Sequence, residues 1–492
     1  MIKNIKWLFL VSVTFIACND NEIITYDSSD GLPLTAGTAD FSKYVAIGDS
    51  YAAGFSDGAL FIEGQKGSYP NILAQQFALV GGGDFTNPFM ADNTGGFIGG
   101  NPAFGPRLAI FGFNPNGTPK IQPALGTSTT NPTTILTGPF NNMGIPGAKS
   151  FHLLFPGYGS AAGNPYFARF ASTPATTVVA DALSQSPTFF SLWIGGNDVL
   201  GYALSGGDGT DPITPTATFN GAYNSILSQL SAGGRKGVIG NIPYVDALPH
   251  FRAVPYNPVP LDAATVAQLN SLAAYGAYNA GITKAFAFLV ANNLMSQANA
   301  DAEIAKRTIT FRPGPGNAVV IMDEYLTDLT GINPALVSMR QATAEDLIVL
   351  PASSFIGTTV GGNPQFVNGV SVPLGDKWVL SKEEVLETRV AVDAYNAIIQ
   401  AAATANDLAF VNLKTLMNDL ATKGITANNY TLNASFVTGG AFSLDGFHPT
   451  PRGYALFANK FIEAINGKYG SNLKGVNLGN YRILFPKDAA DF

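Results

Sequence analysis

The chain has 492 residues, 46% of them apolar and only 12% charged, with a net charge of −7. The acidic balance excludes the basic face that nucleic acid requires, and so much apolar residue with so little charge excludes a disordered chain. The single cysteine, Cys18, excludes an intramolecular disulfide and a Cys-rich metal site.

Lys3 and Lys6 precede an apolar run over residues 7–17, and Cys18 follows at once. A basic stretch and an apolar stretch too short to span a bilayer predict a signal peptide over 1–17. Phe15-Ile16-Ala17-Cys18 resembles a bacterial lipobox, in which the cysteine is acylated. That resemblance implies Cys18 as the lipid attachment, export, and a stable anchor on a membrane, the outer membrane or the cell surface. Residues 18–40 carry Asp20, Glu22, Asp27, Asp30 and Asp40 and read as an acidic tether.

The folded part is expected from Phe41. Tyr44-Val45-Ala46-Ile47, closed by Gly48, reads as a buried strand. A helix is expected over 69–79. Residues 81–140 are rich in Gly, Pro, Asn and Thr and show no sustained period, which in a compact domain points to a stretch serving a site. Helix is expected over 176–184, a second strand over 188–194, an amphipathic helix over 216–231 and a third strand over 237–242. Residues 262–297 predict a long helix, broken near Gly276. Residues 298–380 mix short β-like runs, such as 318–322, with Gly/Pro punctuation. A helix over 382–405, a fourth strand over 409–413 and a last helix over 452–467 complete the chain. Alternating strands and helices predict an α/β fold with a parallel sheet.

In an open α/β sheet, sites form beyond the carboxyl ends of the strands. Gly48-Asp49-Ser50 follows the first strand and Gly195-Gly196-Asn197-Asp198 the second. Asp445-Gly446-Phe447-His448-Pro449 precedes the last helix. Together these make an acyl-transfer set. A serine needs a base to attack at neutral pH, and His448 can take the proton. An imidazole needs a third group to fix its tautomer, and Asp445 lies three residues away. An oxyanion needs donors, which Asn197 and glycine N–H groups can supply.

Four blocks resemble those of the SGNH (GDSL-type) hydrolase family: Gly48-Asp49-Ser50, then Asn142-Met143-Gly144-Ile145-Pro146-Gly147, then Gly195-Gly196-Asn197-Asp198, then Asp445-x-x-His448. The resemblance implies Ser50, His448 and Asp445 as catalytic residues. It also implies an oxyanion hole of the Ser50 N–H, the Gly147 N–H and the Asn197 side chain. The implied fold is a three-layer α/β/α sandwich on a flavodoxin-like parallel sheet of about five strands. No clear strand precedes the second block; Phe140-Asn141-Asn142 is a poor one. The hydrolase domain is expected over 41–470, with long insertions at about 81–140 and 245–380, and a C-terminal extension over 471–492.

His152 and His250 are expected to be structural, and Asp49 and Asp198 to cap turns or helix starts. Gly147-Ala148-Lys149-Ser150 lacks the spacing of a phosphate loop, and no dinucleotide fingerprint or metal-ligand spacing is present. No cofactor and no metal are expected. The function expected is ester hydrolysis through an acyl-enzyme on Ser50, on a small-molecule, lipid or polysaccharide ester. It would be either lipase-like or carbohydrate-deacetylating. The alternative is a membrane-anchored protein that keeps the fold and binds glycans or lipids without turnover.

Overall fold

A computed structural model describes residues 31–115 and 117–492. The predicted signal peptide, Cys18 and the tether up to residue 30 lie outside the described residues.

Five strands form one sheet: β1 (Tyr44–Gly48), β2 (Asn142–Gly144), β3 (Phe189–Trp193), β4 (Lys236–Gly240) and β5 (Ala409–Val411). All pair in parallel, in the spatial order β5-β4-β3-β1-β2. This is the flavodoxin-like order, whose topological switch point lies between β1 and β3. The principal helices are α1 (Ser50–Ala53), α2 (Tyr69–Ala78), α3 (Val178–Ser184), α4 (Asn197–Leu204), α5 (Thr216–Leu230), α6 (Tyr275–Ala291), α7 (Gln297–Arg307), α8 (Lys382–Ala405) and α9 (Pro451–Tyr469).

Every residue of β1 and β3 is buried, because both faces of the sheet are covered. On β3, Phe189 meets Phe77 of α2 and Tyr469 of α9 edge-on, at 5.6 and 5.9 Å. Trp193 meets Phe457 of α9 at 5.6 Å. The pleat turns the intervening Phe190 and Leu192 to the opposite face. There α5 and α8 are joined by Phe219 stacked on Tyr395, with ring centroids 4.1 Å apart. The molecule is thus a three-layer α/β/α sandwich with insertions.

The fifth strand is the second block itself, which the sequence does not announce. Asn142, Met143 and Gly144 pair with Ala46, Ile47 and Gly48. Polar and small residues serve here because β2 packs against α1 and its flanks. Asn142 Nδ2 donates to Ala52 O and Asn87 Oδ1, both at 3.0 Å. A Cβ at Gly144 would stand 2.2 Å from Ala53 N.

The long helix expected over 262–297 is two helices, Ala263–Leu269 and α6, parted at residues 270–274. The chain folds back on itself so closely there that a Cβ at Gly276 would lie 2.6 Å from Asn270 O. The rest of the large insertion is α7 and short antiparallel pairs, among them Val259–Leu261 with Gly314–Asn317 and Val320–Met322 with Met339–Gln341. It has no core of its own: Tyr278, Ile282 and Val320 belong to the same apolar cluster as Val45 and Leu192. Among the described residues, 81–140 are irregular apart from a single 3-10 turn at Pro102–Phe104 and the hairpin Leu108–Phe113 with Pro119–Pro123. Their anchor is Arg107, fully buried, whose Nε donates to Asn93 O at 2.9 Å and whose guanidinium lies 5.4 Å from the Phe61 ring.

The chain before β1 and the segment just after α9 both dock on α9, where the Asn459 side chain pairs with Val476 O and N at 2.9 and 2.7 Å. Thr38 N donates to Tyr469 O at 2.8 Å, and Leu473, Val476 and Leu478 are buried. Among the described residues no helix is long and apolar enough to cross a membrane.

Candidate active site

Where β1 ends, the chain turns directly into α1. Asp49 caps that helix, accepting from Tyr51 N at 3.0 Å, so Ser50 is its first residue. A Cβ at Gly48 would stand 2.4 Å from Trp193 O, so the junction requires glycine. At the far end of the chain, Thr450 caps α9 by accepting from Gly453 N at 3.0 Å. The loop just before it carries Asp445 and His448.

These two junctions meet. Ser50 Oγ lies 2.8 Å from His448 Nε2, and His448 Nδ1 lies 2.9 Å from Asp445 Oδ2. Ser50, His448 and Asp445 are 8%, 5% and 7% exposed. Asp445 also accepts from Phe447 N and His448 N at 3.0 and 2.8 Å, and from Gly58 N at 2.8 Å. Burial works against its charge, but the adjoining His448 and these donors outweigh burial and hold the carboxyl below its ordinary range. A carboxylate held ionised against Nδ1 directs Nε2 toward the serine as proton acceptor.

Asn197 starts α4 at the carboxyl end of β3, beside Ser50 across the switch point. Its Nδ2 donates to Ala148 O at 3.0 Å. That bond uses one of the two amide hydrogens and fixes the direction of the other. Gly147 sits in the turn that follows β2. Ala148 N donates to Ile145 O at 3.1 Å, with Pro146 second in the turn and Gly147 third at φ +78°. This is the type II pattern, which requires a positive φ at the third residue. Ile145 N donates to Gly48 O at 3.0 Å and ties the turn to the end of β1. Gly147 itself is exposed.

Asp198 joins these pieces. Its two oxygens accept from Ser150 N and Ser150 Oγ, both at 2.8 Å, which links α4 to the segment after Gly147. Burial pushes the Asp198 carboxyl up. Burial, opposed by the Tyr51 N–H and reinforced by Asp198, pushes Asp49 up to about 7.

The other histidines do not reach Ser50. Nδ1 of His152 accepts from Lys149 N at 3.1 Å, and its ring stacks on Tyr158. His250 Nδ1 donates to Asp445 O at 3.1 Å, and Gly446 O accepts from His250 N at 2.9 Å. Burial lowers the basicity of both rings. His250 thus braces the loop that carries Asp445.

A second brace escaped the sequence reading. Asp57 Oδ1 accepts from Leu444 N at 2.9 Å, and Asp57 N donates to Ser443 Oγ at 2.8 Å. The only trace in the sequence is a turn-like Asp57-Gly58 pair. Aromatic rings also surround the imidazole. Phe55 and Phe447 lie 4.5 and 4.4 Å from the His448 ring, and Tyr51, stacked on Trp193, donates to Phe447 O at 2.9 Å.

The site therefore holds a hydroxyl, an imidazole and a carboxylate in line, with an amide donor and a glycine turn beside the hydroxyl. Among the described residues no group of acidic, histidine or cysteine side chains is placed to hold a metal. No family model, no curated protein and no solved structure matches this chain.

Proposed function

We propose that the protein is a serine ester hydrolase of the SGNH (GDSL-type) kind, carried on a membrane by lipid on Cys18. The observation that carries the reading is the unbroken relay from Ser50 Oγ through His448 to Asp445, at 2.8 and 2.9 Å. Ser50 Oγ attacks the ester carbonyl carbon while His448 takes the hydroxyl proton. The Ser50 N–H, the Gly147 N–H and the free Asn197 amide hydrogen receive the oxyanion. The intermediate collapses, the alcohol leaves with the proton from His448, and the acyl group stays on Ser50. Water then repeats the sequence, giving the carboxylic acid and the free serine. The substrate is an ester of lipase-like or carbohydrate-acetate type.

The test is hydrolysis of p-nitrophenyl esters by the full chain and by Ser50→Ala. The variant is expected to lose activity on the order of 10⁴-fold or more. Activity that survives the substitution would place the chemistry elsewhere.

A further inference from the structure

A cleft of about 510 Å³ opens in the large insertion, within the ~300–1,000 Å³ of small-ligand sites. No residue of the Ser50 site lines it. Its walls come from three segments. The helix Ala263–Leu269 and the start of α6 give Gln268, Tyr275 and Tyr278. The chain between 333 and 339 gives Asn333, and the hairpin of Thr359–Val360 with Asn363–Val367 gives Gln365 and Phe366. Both tyrosine hydroxyls are committed to the protein. Tyr275 Oη donates to Val370 O at 2.6 Å, and Tyr278 Oη donates to Val337 O at 3.0 Å while accepting from Arg307 Nε at 3.1 Å. What these side chains offer the cleft is therefore ring carbon, held in place.

No charged side chain lines this cleft. A cleft of about 520 Å³ beside Arg389 carries six. An uncharged wall selects an uncharged ligand, because an ion would shed its water there without gaining a partner. The free polar groups are carboxamides. Among the described residues nothing pairs with the side chains of Gln268 and Gln365. Asn333 Oδ1 accepts from Ala335 N at 3.0 Å, which leaves its two amide hydrogens free. A carboxamide both donates and accepts, which matches a ligand covered in hydroxyls. Phe366 is 50% exposed and stacks on no other ring. The face of an aromatic ring is the negative part of its quadrupole, and the C–H face of a sugar ring is its complement. We propose that the cleft is a second binding site, for neutral sugar residues of a polysaccharide: the C–H face of the sugar lies on Phe366, and its hydroxyls pair with Gln268, Asn333 and Gln365. The site stands independently of the ester hydrolysis proposed above.

The full chain is titrated by calorimetry with cellohexaose, xylohexaose, mannohexaose and maltohexaose, and with hexagalacturonate as an acidic counterpart. Phe366→Ala and Gln268→Ala, both at exposed positions, are titrated beside it, with circular dichroism to establish folding. At least one neutral saccharide is expected to bind with a millimolar or tighter Kd. Phe366→Ala should weaken that binding about tenfold, through loss of the stacked ring. Gln268→Ala should weaken it about threefold, through loss of one hydrogen-bonding group. A panel in which no neutral saccharide binds would overturn the proposal, and so would a preference for hexagalacturonate. An affinity that Phe366→Ala leaves unmoved would put the sugar elsewhere on the molecule, the Ser50 site included, and would overturn it as well.

Discussion

Asp445 accepts from Phe447 N, His448 N, Gly58 N and the His448 ring, and every one of those bonds would be weakened by an amide in its place. Asp445→Asn is expected to lower kcat on the order of 10⁴-fold by presenting the wrong imidazole tautomer. On the proposed mechanism, Asn197→Ala should cost about 10² to 10³ in kcat with little change in KM, because its free hydrogen would engage only the developing oxyanion. Steady-state kinetics on an activated ester separates the two effects. Asp57 gives a prediction of a different kind. Burial, against the Leu444 N–H and with Asp445 nearby, pushes its carboxyl up to about 7, whereas in the unfolded chain it titrates near about 4. Between those two values the folded protein holds a proton that the unfolded chain has released, so stability falls as pH rises from about 4 to about 7. Asn at 57 keeps the acceptor for Leu444 N and tolerates φ +51°. Asp57→Asn should therefore gain in Tm over the wild type as pH rises from 4 to 8. An equal difference at both ends of that range would count against a buried, protonated Asp57. The serine was legible in the sequence because it stands where a strand runs into a helix, and the histidine and carboxylate because they lie three residues apart just before the last helix. Asp57, Gly58 and His250 were not, because their partners lie 387 and 195 residues away.

At the scale of elements, the turn after β2 is the most exposed to a single change. A Cβ at Gly147 meets nothing within 4 Å, so Gly147→Ala would be felt only through its backbone at φ +78°. Holding a non-glycine residue there costs about 1–3 kcal/mol. The turn is expected to relax and withdraw its N–H, so the variant should lose kcat well beyond its modest drop in Tm. β1, β3 and β4 follow from apolar runs closed by glycine or proline, β5 from a short apolar run, and α8 spans 382–405 as its composition predicts. β2 escaped notice because its residues answer to α1 rather than to strand propensity: Asn142 bonds Ala52 O, and Gly144 makes room for Ala53. The break before α6 lies at 270–274, near Gly276 as expected, and Gly276 is the close-approach point just after the bend.

Across the whole molecule, the large insertion is fused to the layers of the sandwich through a single core, so it should not melt apart from them. Its internal staple is Arg340, buried between Asp323 at 2.5 Å and Asp346 at 2.7 Å. Burial works against the Asp346 charge, but Arg340 and the Thr343 donors outweigh it and hold the carboxyl below its ordinary range. Arg340→Ala would leave two buried carboxylates without their cation and is expected to destabilise the protein by about 3–5 kcal/mol in urea unfolding. Fluorescence and circular dichroism should follow the same shifted transition. A variant that unfolds in two separated steps would show the insertion to be an independent unit.

The sequence by itself determined the α/β class and placed Ser50, Asn197 and the Asp445–His448 loop at the ends of their elements. Local patterns suffice for that, because buried parallel strands read as apolar runs and active loops follow them. Only the tertiary structure decided that β2 closes the sheet's edge and that Ser50 meets His448 across 398 residues. Those outcomes depend on which surfaces come to face one another, and chain-distant packing leaves no trace in a local window.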